Sequence, residues 1–265
     1  MRDRAESGMG AACILAEGWE GLRKRALAPV TVAVLDSGID GSHPDLAGRI
    51  EGAVAIELED DRPVVHELSP SANNDVFGHG TSVAGIIAAI APNARIYDVR
   101  ILSERNIGGT EVLLRGFVHA LDQPWRVLNL SLAAISSIRG EFSQLCERAY
   151  FQEQIVVAAR RNLPLGDDGL PAEFSSCIGV DRGSFQSPFD YVFRARTPIE
   201  FEARGEAVIA PARGGGYTTV TGTSFATPTV SGLCALLLGA CPDLKLFEIK
   251  TALRHFANAT KKEGE

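Results

Sequence analysis

The sequence predicts an α/β protein whose mostly parallel sheet carries helices on both faces. Short, nearly continuous apolar runs stand at 30–35 (VTVAVL) and 155–159 (IVVAA), and another short strand is expected at 127–132 (VLNLSL). Strands buried on both faces read this way. Helical patterns fall between these runs, the alternation that βαβ units produce. Polar residues flanked by glycine stand where strands end and helices begin, the region where sites lie in such sheets. A length of 265 residues with 45% hydrophobic content fits one large domain with a substantial core.

Taken in order, the segment up to Arg25 predicts one helix around residues 10–15 and a connection through Trp19 and Gly21. The strand at 30–35 ends in Asp36, and a turn-rich loop follows over 37–45. The acidic stretch containing Glu57, Glu59, Asp60 and Asp61 predicts a solvated loop or hairpin. Gly78-His79-Gly80-Thr81-Ser82 opens a small-residue helix ending before Pro92. A strand at 95–102, a helix at 111–121, the strand at 127–132, a helix at 142–151 and the strand at 155–159 come next. Short strands are expected at 177–180 and 207–209, with an irregular insertion at 181–199 between them. Residues 229–238 are small or aliphatic on nearly all sides, as in a buried helix; Pro228 fits its first turn, and Gly239 and Pro242 end it. Leu246, Ile249, Leu253 and Phe256 recur at helical spacing, with Asp243 as the expected N-cap of a helix over 244–257. The tail beyond Asn258 is polar and expected to fray.

A formal charge of −7 without a basic block argues against a nucleic-acid partner. The first ten residues carry Arg2, Asp3, Arg4 and Glu6 and no apolar stretch of signal-peptide length. No later run reads as a membrane span, so a cytoplasmic protein is expected. Cys13, Cys146, Cys177, Cys234 and Cys241 form no metal-ligand spacing, and Cys177 and Cys234 read as reduced core thiols.

A serine hydroxyl becomes a nucleophile only when a base takes its proton, and an imidazole oriented by a carboxylate is such a base. His79 is the histidine set in a glycine-flanked helix start, whereas His43, His66, His119 and His255 read as surface or capped histidines. Asp36 closes a buried strand, where its charge needs a partner. Ser224 follows Gly222-Thr223 at the mouth of an apolar helix, where unpaired N–H groups and the helix dipole favour negative charge. Taken alone, that triplet also reads as a plain helix cap. In chain order the residues run Asp, His, Ser.

These windows, together with LNLSL at 128–132, VVAARRN at 156–162 and LPAEF at 170–174, resemble the subtilisin-like serine peptidases (subtilases) over about residues 19–256. The resemblance implies the subtilisin-like three-layer fold and a serine endopeptidase working through an acyl-enzyme. It implies Ser224 as nucleophile, His79 as base, Asp36 as the group holding the imidazole tautomer, and Asn162 with the Ser224 N–H as oxyanion donors. Ile107 and Gly108 match one substrate-pairing strand and Ser131, Leu132, Ala133 and Ala134 the other, so a peptide or protein substrate is expected to bind as an extended strand. Gly169 matches the floor of the pocket for the residue preceding the scissile bond. The domains implied are an N-terminal extension at 1–18, a catalytic domain at 19–258 and the polar tail at 259–265.

The chain also departs from the family pattern. Arg160 and Arg161 stand before Asn162 where a glycine is usual, and either select an acidic residue or pair outward with Asp167 or Asp168. Ala133 and Ala134 replace glycines and should narrow the pocket. Phe225 replaces a common methionine. Asp45 matches a carboxylate that binds structural calcium in many subtilases, but the partner loop is missing because residues 90–92 run straight into a strand; no metal or other cofactor is expected. Residues 1–18 are too short for the family's folding propeptide, so either the chain folds unassisted or a prodomain has been removed. Limited processing of a precursor, as in peptide-maturation proteases, is the expected role. A catalytically silent peptide-binding protein and an acyl-transferring transpeptidase or macrocyclase are the alternatives.

Overall fold

Val30–Asp36 (β1) is buried almost throughout its length and lies inside a nine-stranded sheet. The structure, a computed structural model, describes the backbone of residues 3–162 and 169–260 and the side chains of residues 14–162 and 169–257. Across the sheet the order is Arg62–Leu68 (β3), Ile50–Glu59 (β2), Ala94–Arg100 (β4), β1, Val127–Leu130 (β5), Ile155–Ala159 (β6), Ile178–Gly183 (β7), Phe201–Arg204 (β9) and Val192–Phe193 (β8). The pairings are parallel except those of the outermost strands β3 and β8. Val208–Pro211 (β10) and Tyr217–Val220 (β11) form a separate antiparallel pair.

Asp3–Lys24 (α1), His79–Ile90 (α2), Thr223–Ala240 (α5) and Leu246–Thr260 (α6) share one core with the sheet, through residues such as Leu22, Val83, Ile87, Leu233 and Leu253. Thr110–Leu121 (α3) and Arg139–Phe151 (α4) cover the opposite face through Phe117 and Phe142, which meet edge to face at 5.3 Å. The result is the three-layer α/β architecture expected. The chain adds β2, β3 and β4 on one side of β1 and β5 onward on the other, so the strand order reverses at β1. A crevice forms at the carboxyl ends of strands where the order reverses in this way.

Several local expectations are corrected. The first helix is not confined to residues 10–15 but spans Asp3–Lys24, with a kink at Gly18 (φ 68°), and Trp19 and Leu22 are helical core residues. The acidic stretch is the β2–β3 hairpin, turned by Asp60 and Asp61 at positive φ. The insertion at 181–199 is not wholly irregular: it contains β8 and the buried Tyr191, whose hydroxyl donates to Leu253 O at 2.8 Å. Strands β8, β9 and β11 were missed because runs of two to four residues are too short to show a period. Lys245, not Asp243, precedes the last helix, and its N–H donates to Glu248 Oε2 at 2.9 Å as one half of a capping box. That helix continues to Thr260. Residues 261–265 of the expected tail, Asp167, Asp168 and the Cys13 side chain lie outside the described residues. Cys177 and Cys234 are buried free thiols, as are those of Cys146.

Helix α5 begins at Thr223, so Pro228 lies inside it and not in its first turn. By length and apolarity α5 could cross a membrane, contrary to the sequence reading, yet 83% of it is buried inside the protein. Proline has no N–H, which leaves the Ser224 carbonyl without its helical donor four residues on. Ser131 supplies one instead: its hydroxyl donates to Ser224 O at 2.8 Å and accepts from Asn129 Nδ2 at 3.0 Å. Asn129 Oδ1 in turn accepts from Ser231 Oγ at 2.8 Å. This buried network fastens the first turn of α5 to the end of β5. Ser131→Ala should lower the unfolding free energy by about 1–3 kcal/mol, measured by urea denaturation. Adding Pro228→Ala, which restores an N–H in range of Ser224 O, should recover part of the loss.

Candidate active site

The carboxylate of Asp36 is buried at the carboxyl end of β1, and its Oδ1 accepts from the Ser37 N–H at 2.7 Å and from His79 Nδ1 at 2.7 Å. The second contact fixes which imidazole nitrogen carries hydrogen, leaving Nε2 as the base site in the neutral ring. His79 is the first residue of α2 and is brought to Asp36 by close backbone packing. A Cβ at Gly80 would lie 2.2 Å from the Gly38 carbonyl, so only glycine lets the helix start rest on the loop after β1.

Asp75, not singled out from sequence, organises the same corner. Its Oδ1 accepts from Ser37 Oγ at 2.8 Å, Gly78 N at 2.7 Å and Phe77 N at 3.0 Å. Its Oδ2 accepts from Thr81 N at 2.9 Å and from the Thr81 hydroxyl at 2.5 Å. The carboxylate thereby meets the unpaired N–H groups of the α2 N-terminus and ties them to the residue beside Asp36. Ser37 Oγ also receives the Gly80 N–H at 3.1 Å. Below lies Asp98, fully buried, with Oδ2 accepting the Ile39 N–H at 3.0 Å; burial pushes its carboxyl well above the usual range, and the backbone donor only partly opposes this. Burial disfavours the charged form of His79, but the charge and hydrogen bond of Asp36 and the charge of Asp75 outweigh it, so its pKa is raised.

Ser224, in the first turn of α5, reaches the same end of the sheet. The ring of its neighbour Phe225 lies 4.9 Å from the imidazole of His79. The Ser224 hydroxyl and His79 share no hydrogen bond in this arrangement, a contact that commonly tightens only with substrate present. Ser224 opens into a cleft of about 440 Å³ also lined by Asn162, Arg161, residues 131–134 and, opposite them, Ile107 and Gly108. Thr223 Oγ1 contacts Arg160 O at 2.8 Å and Asn162 Oδ1 at 3.2 Å, which ties the segment after β6 to the start of α5.

A profile described as "Subtilase family" matches residues 28–265. The chain belongs to the subtilase family. It is 31% identical over 233 residues to the "Intracellular serine protease" of Paenibacillus polymyxa, covering 83% of this chain and 68% of that one. It is 32% identical to the "Major intracellular serine protease" of Bacillus subtilis (strain 168), covering 78% and 68%. With "Thermitase" of Thermoactinomyces vulgaris it shares 31% identity over 88% of this chain and 82% of the relative. The structure of "Sphericase" superposes with a TM-score of 0.69 at 24% identity, covering 86% of this chain and 83% of that one, a likeness of fold. This subtilase is a subtilisin-like serine peptidase.

Asp36, His79, Ser224 and Asn162 thus come from separate segments to one end of the sheet. Ile107, Gly108 and residues 131–134 line the cleft; Arg160 and Gly169 do not. Arg160 turns to Asp181, with Nη1 donating to Oδ2 at 2.7 Å, and Arg194 reaches the same oxygen at 2.8 Å. Gly169 (φ 85°) is buried behind Ala133 and Arg161. Among the other histidines, His43 is buried, with Nε2 on Gly216 O at 2.9 Å and Nδ1 accepting Asp45 N at 3.2 Å, a capped histidine that is not at the surface. Asp75 could have been suspected from its position before a glycine-flanked helix start, where carboxylates serve as caps. Asp75→Asn removes a charge that favours the imidazolium, so the His79 titration midpoint should fall to lower pH, read from its Cε1 proton resonance.

Proposed function

We propose that this subtilase cleaves peptide bonds through an acyl-enzyme on Ser224. The observation that carries the reading is the 2.7 Å contact between Asp36 and His79 Nδ1 at the mouth of the cleft that Ser224 and Asn162 line. His79 Nε2 takes the Ser224 proton as Oγ bonds to the substrate carbonyl carbon. The imidazolium then gives that proton to the leaving amine as the C–N bond breaks, and water repeats the sequence to release the acid. Asp36 stays ionised and holds the ring. The Asn162 side chain and the Ser224 N–H receive the oxyanion; in subtilisin itself, removing the corresponding asparagine costs about 10²–10³ in kcat.

The substrate lies as an extended strand between Ile107–Gly108 on one side and residues 131–133 on the other. Ala134 is already paired, its N–H donating to Leu170 O at 2.8 Å and its carbonyl accepting from Arg161. Residues 19–258 serve as the catalytic unit in this reading. Limited processing of a peptide or protein precursor in the cytoplasm is supported by the altered cleft walls and by relatives named as intracellular proteases. The net charge of −7 disfavours nucleic acid, and the burial of α5 disfavours a membrane role for it.

No cofactor takes part in this mechanism, and a structural calcium does not fit at Asp45. Its carboxylate oxygens both receive the Tyr217 hydroxyl, each at 3.1 Å, and no group of three or more His, Cys, Asp or Glu converges among the described residues. An ion wanting six to eight oxygens would lack ligands there.

A fluorophosphonate probe should label the protein and fail to label Ser224→Ala; labelling that survives the substitution would refute the assignment. Product masses should show addition of water, whereas amine addition would indicate acyl transfer. The melting temperature should be the same in calcium and in chelator, and a large shift would overturn the absence of the ion.

A further inference from the structure

We infer that Arg161 is a strut that closes the side-chain slot beside Ser224, restricting the residue before the scissile bond to glycine, alanine or serine. This rests on the proposed role of Ser224. Strands β5 and β6 are parallel neighbours, and their carboxyl-end extensions, residues 131–134 and 160–162, form adjoining walls of the cleft next to Ser224. In the proposed reading, a substrate carbonyl held between Ser224 and Asn162 directs its side chain into the gap between these walls. That gap is spanned by this chain's own atoms. Arg161 leaves the end of β6 and donates through Nη2 to the carbonyl of Ala134, on the β5 side.

The strut is packed at its base. A Cβ built on Gly169 would lie 2.8 Å from Arg161 Cβ and 2.9 Å from Ala133 Cβ, so these residues already touch and leave no room for a further methyl between them. Ala134 is itself fastened by the N–H bond to Leu170 O at 2.8 Å. Neither wall can move aside without breaking a hydrogen bond. Arg160 does not enter the gap, being turned to Asp181. The guanidinium of Arg161 is engaged with a carbonyl, which makes it a filler of the slot in preference to a receptor for an acidic side chain.

The test uses a quenched peptide series differing only in the residue before the scissile bond: Ala, Phe or Asp. The readout is the ratio of kcat/KM values, which does not depend on how much enzyme is active. For the natural enzyme Ala should exceed Phe by roughly 100-fold, and in Arg161→Gly the Phe-to-Ala ratio should rise by at least about 10-fold. Arg161→Ala, with a shorter truncation, should move the ratio the same way and serves if the glycine variant folds poorly. Equal cleavage after Phe and Ala by the natural enzyme overturns the strut, as does an unmoved ratio in both variants. A preference for Asp that disappears in Arg161→Gly also overturns it, assigning the arginine to charge recognition. Fluorophosphonate labelling of each variant separates these results from a failure of the Ser224 reading, which would leave the natural protein unlabelled or its labelling unchanged in Ser224→Ala.

Discussion

A carboxylate removed from water costs several kcal/mol unless donors meet it, and Asp36 is buried at the end of β1, an interior strand of the sheet. Its donors are the Ser37 N–H and His79. Everything that brings His79 there, from the Gly80–Gly38 approach to the N-terminus of α2, is therefore also part of the solution to burying the charge. Asp75 repeats the pattern a few ångströms away, spending its acceptors on the helix start and on Ser37. Asp36 and Asp75 place negative charge behind a histidine whose imidazolium is thereby favoured, while burial pushes the carboxyl of Asp98 well above the usual range.

The opposite half of the site is held by a different device. Pro228 breaks the hydrogen-bond ladder of α5 at the carbonyl of Ser224, and the side chain of Ser131 fills the gap. One hydroxyl thus joins the segment proposed to flank the substrate to the residue proposed as nucleophile. Asn129 and Ser231 extend the connection into the buried interior, so the mouth of the cleft is coupled to the core. Thr223 performs the same service toward the segment carrying Asn162.

Most of the fold was legible because buried parallel strands are continuous apolar runs and the amphipathic helices carry a clear period. What was not legible was short or depended on partners. The two-residue β8 has no period to read, and Lys245 became the cap of α6 because Glu248 reaches back to its N–H. The placement of Pro228 failed for a related reason: its chemistry favours a first turn, and only a distant hydroxyl makes an interior position tolerable. His43 likewise reads as a surface or capped histidine, and only its contact with Gly216, far along the chain, shows it to be capped and buried.

By itself the sequence determined the α/β class, because strand periodicity is a local property, and its glycine-flanked helix starts set His79 and Ser224 after Asp36 in chain order, while the resemblance to subtilases implied Asn162 beside them. Only the tertiary structure decided which charges meet. Arg160 and Arg161 are adjacent in the chain, yet one turns to Asp181 and the other crosses to Ala134. Successive residues leaving a strand point to opposite sides, and what waits on each side is set by segments more than twenty residues away. The chemistry of the site was therefore written locally, while the shape of what can reach it was settled by packing between distant parts of the chain.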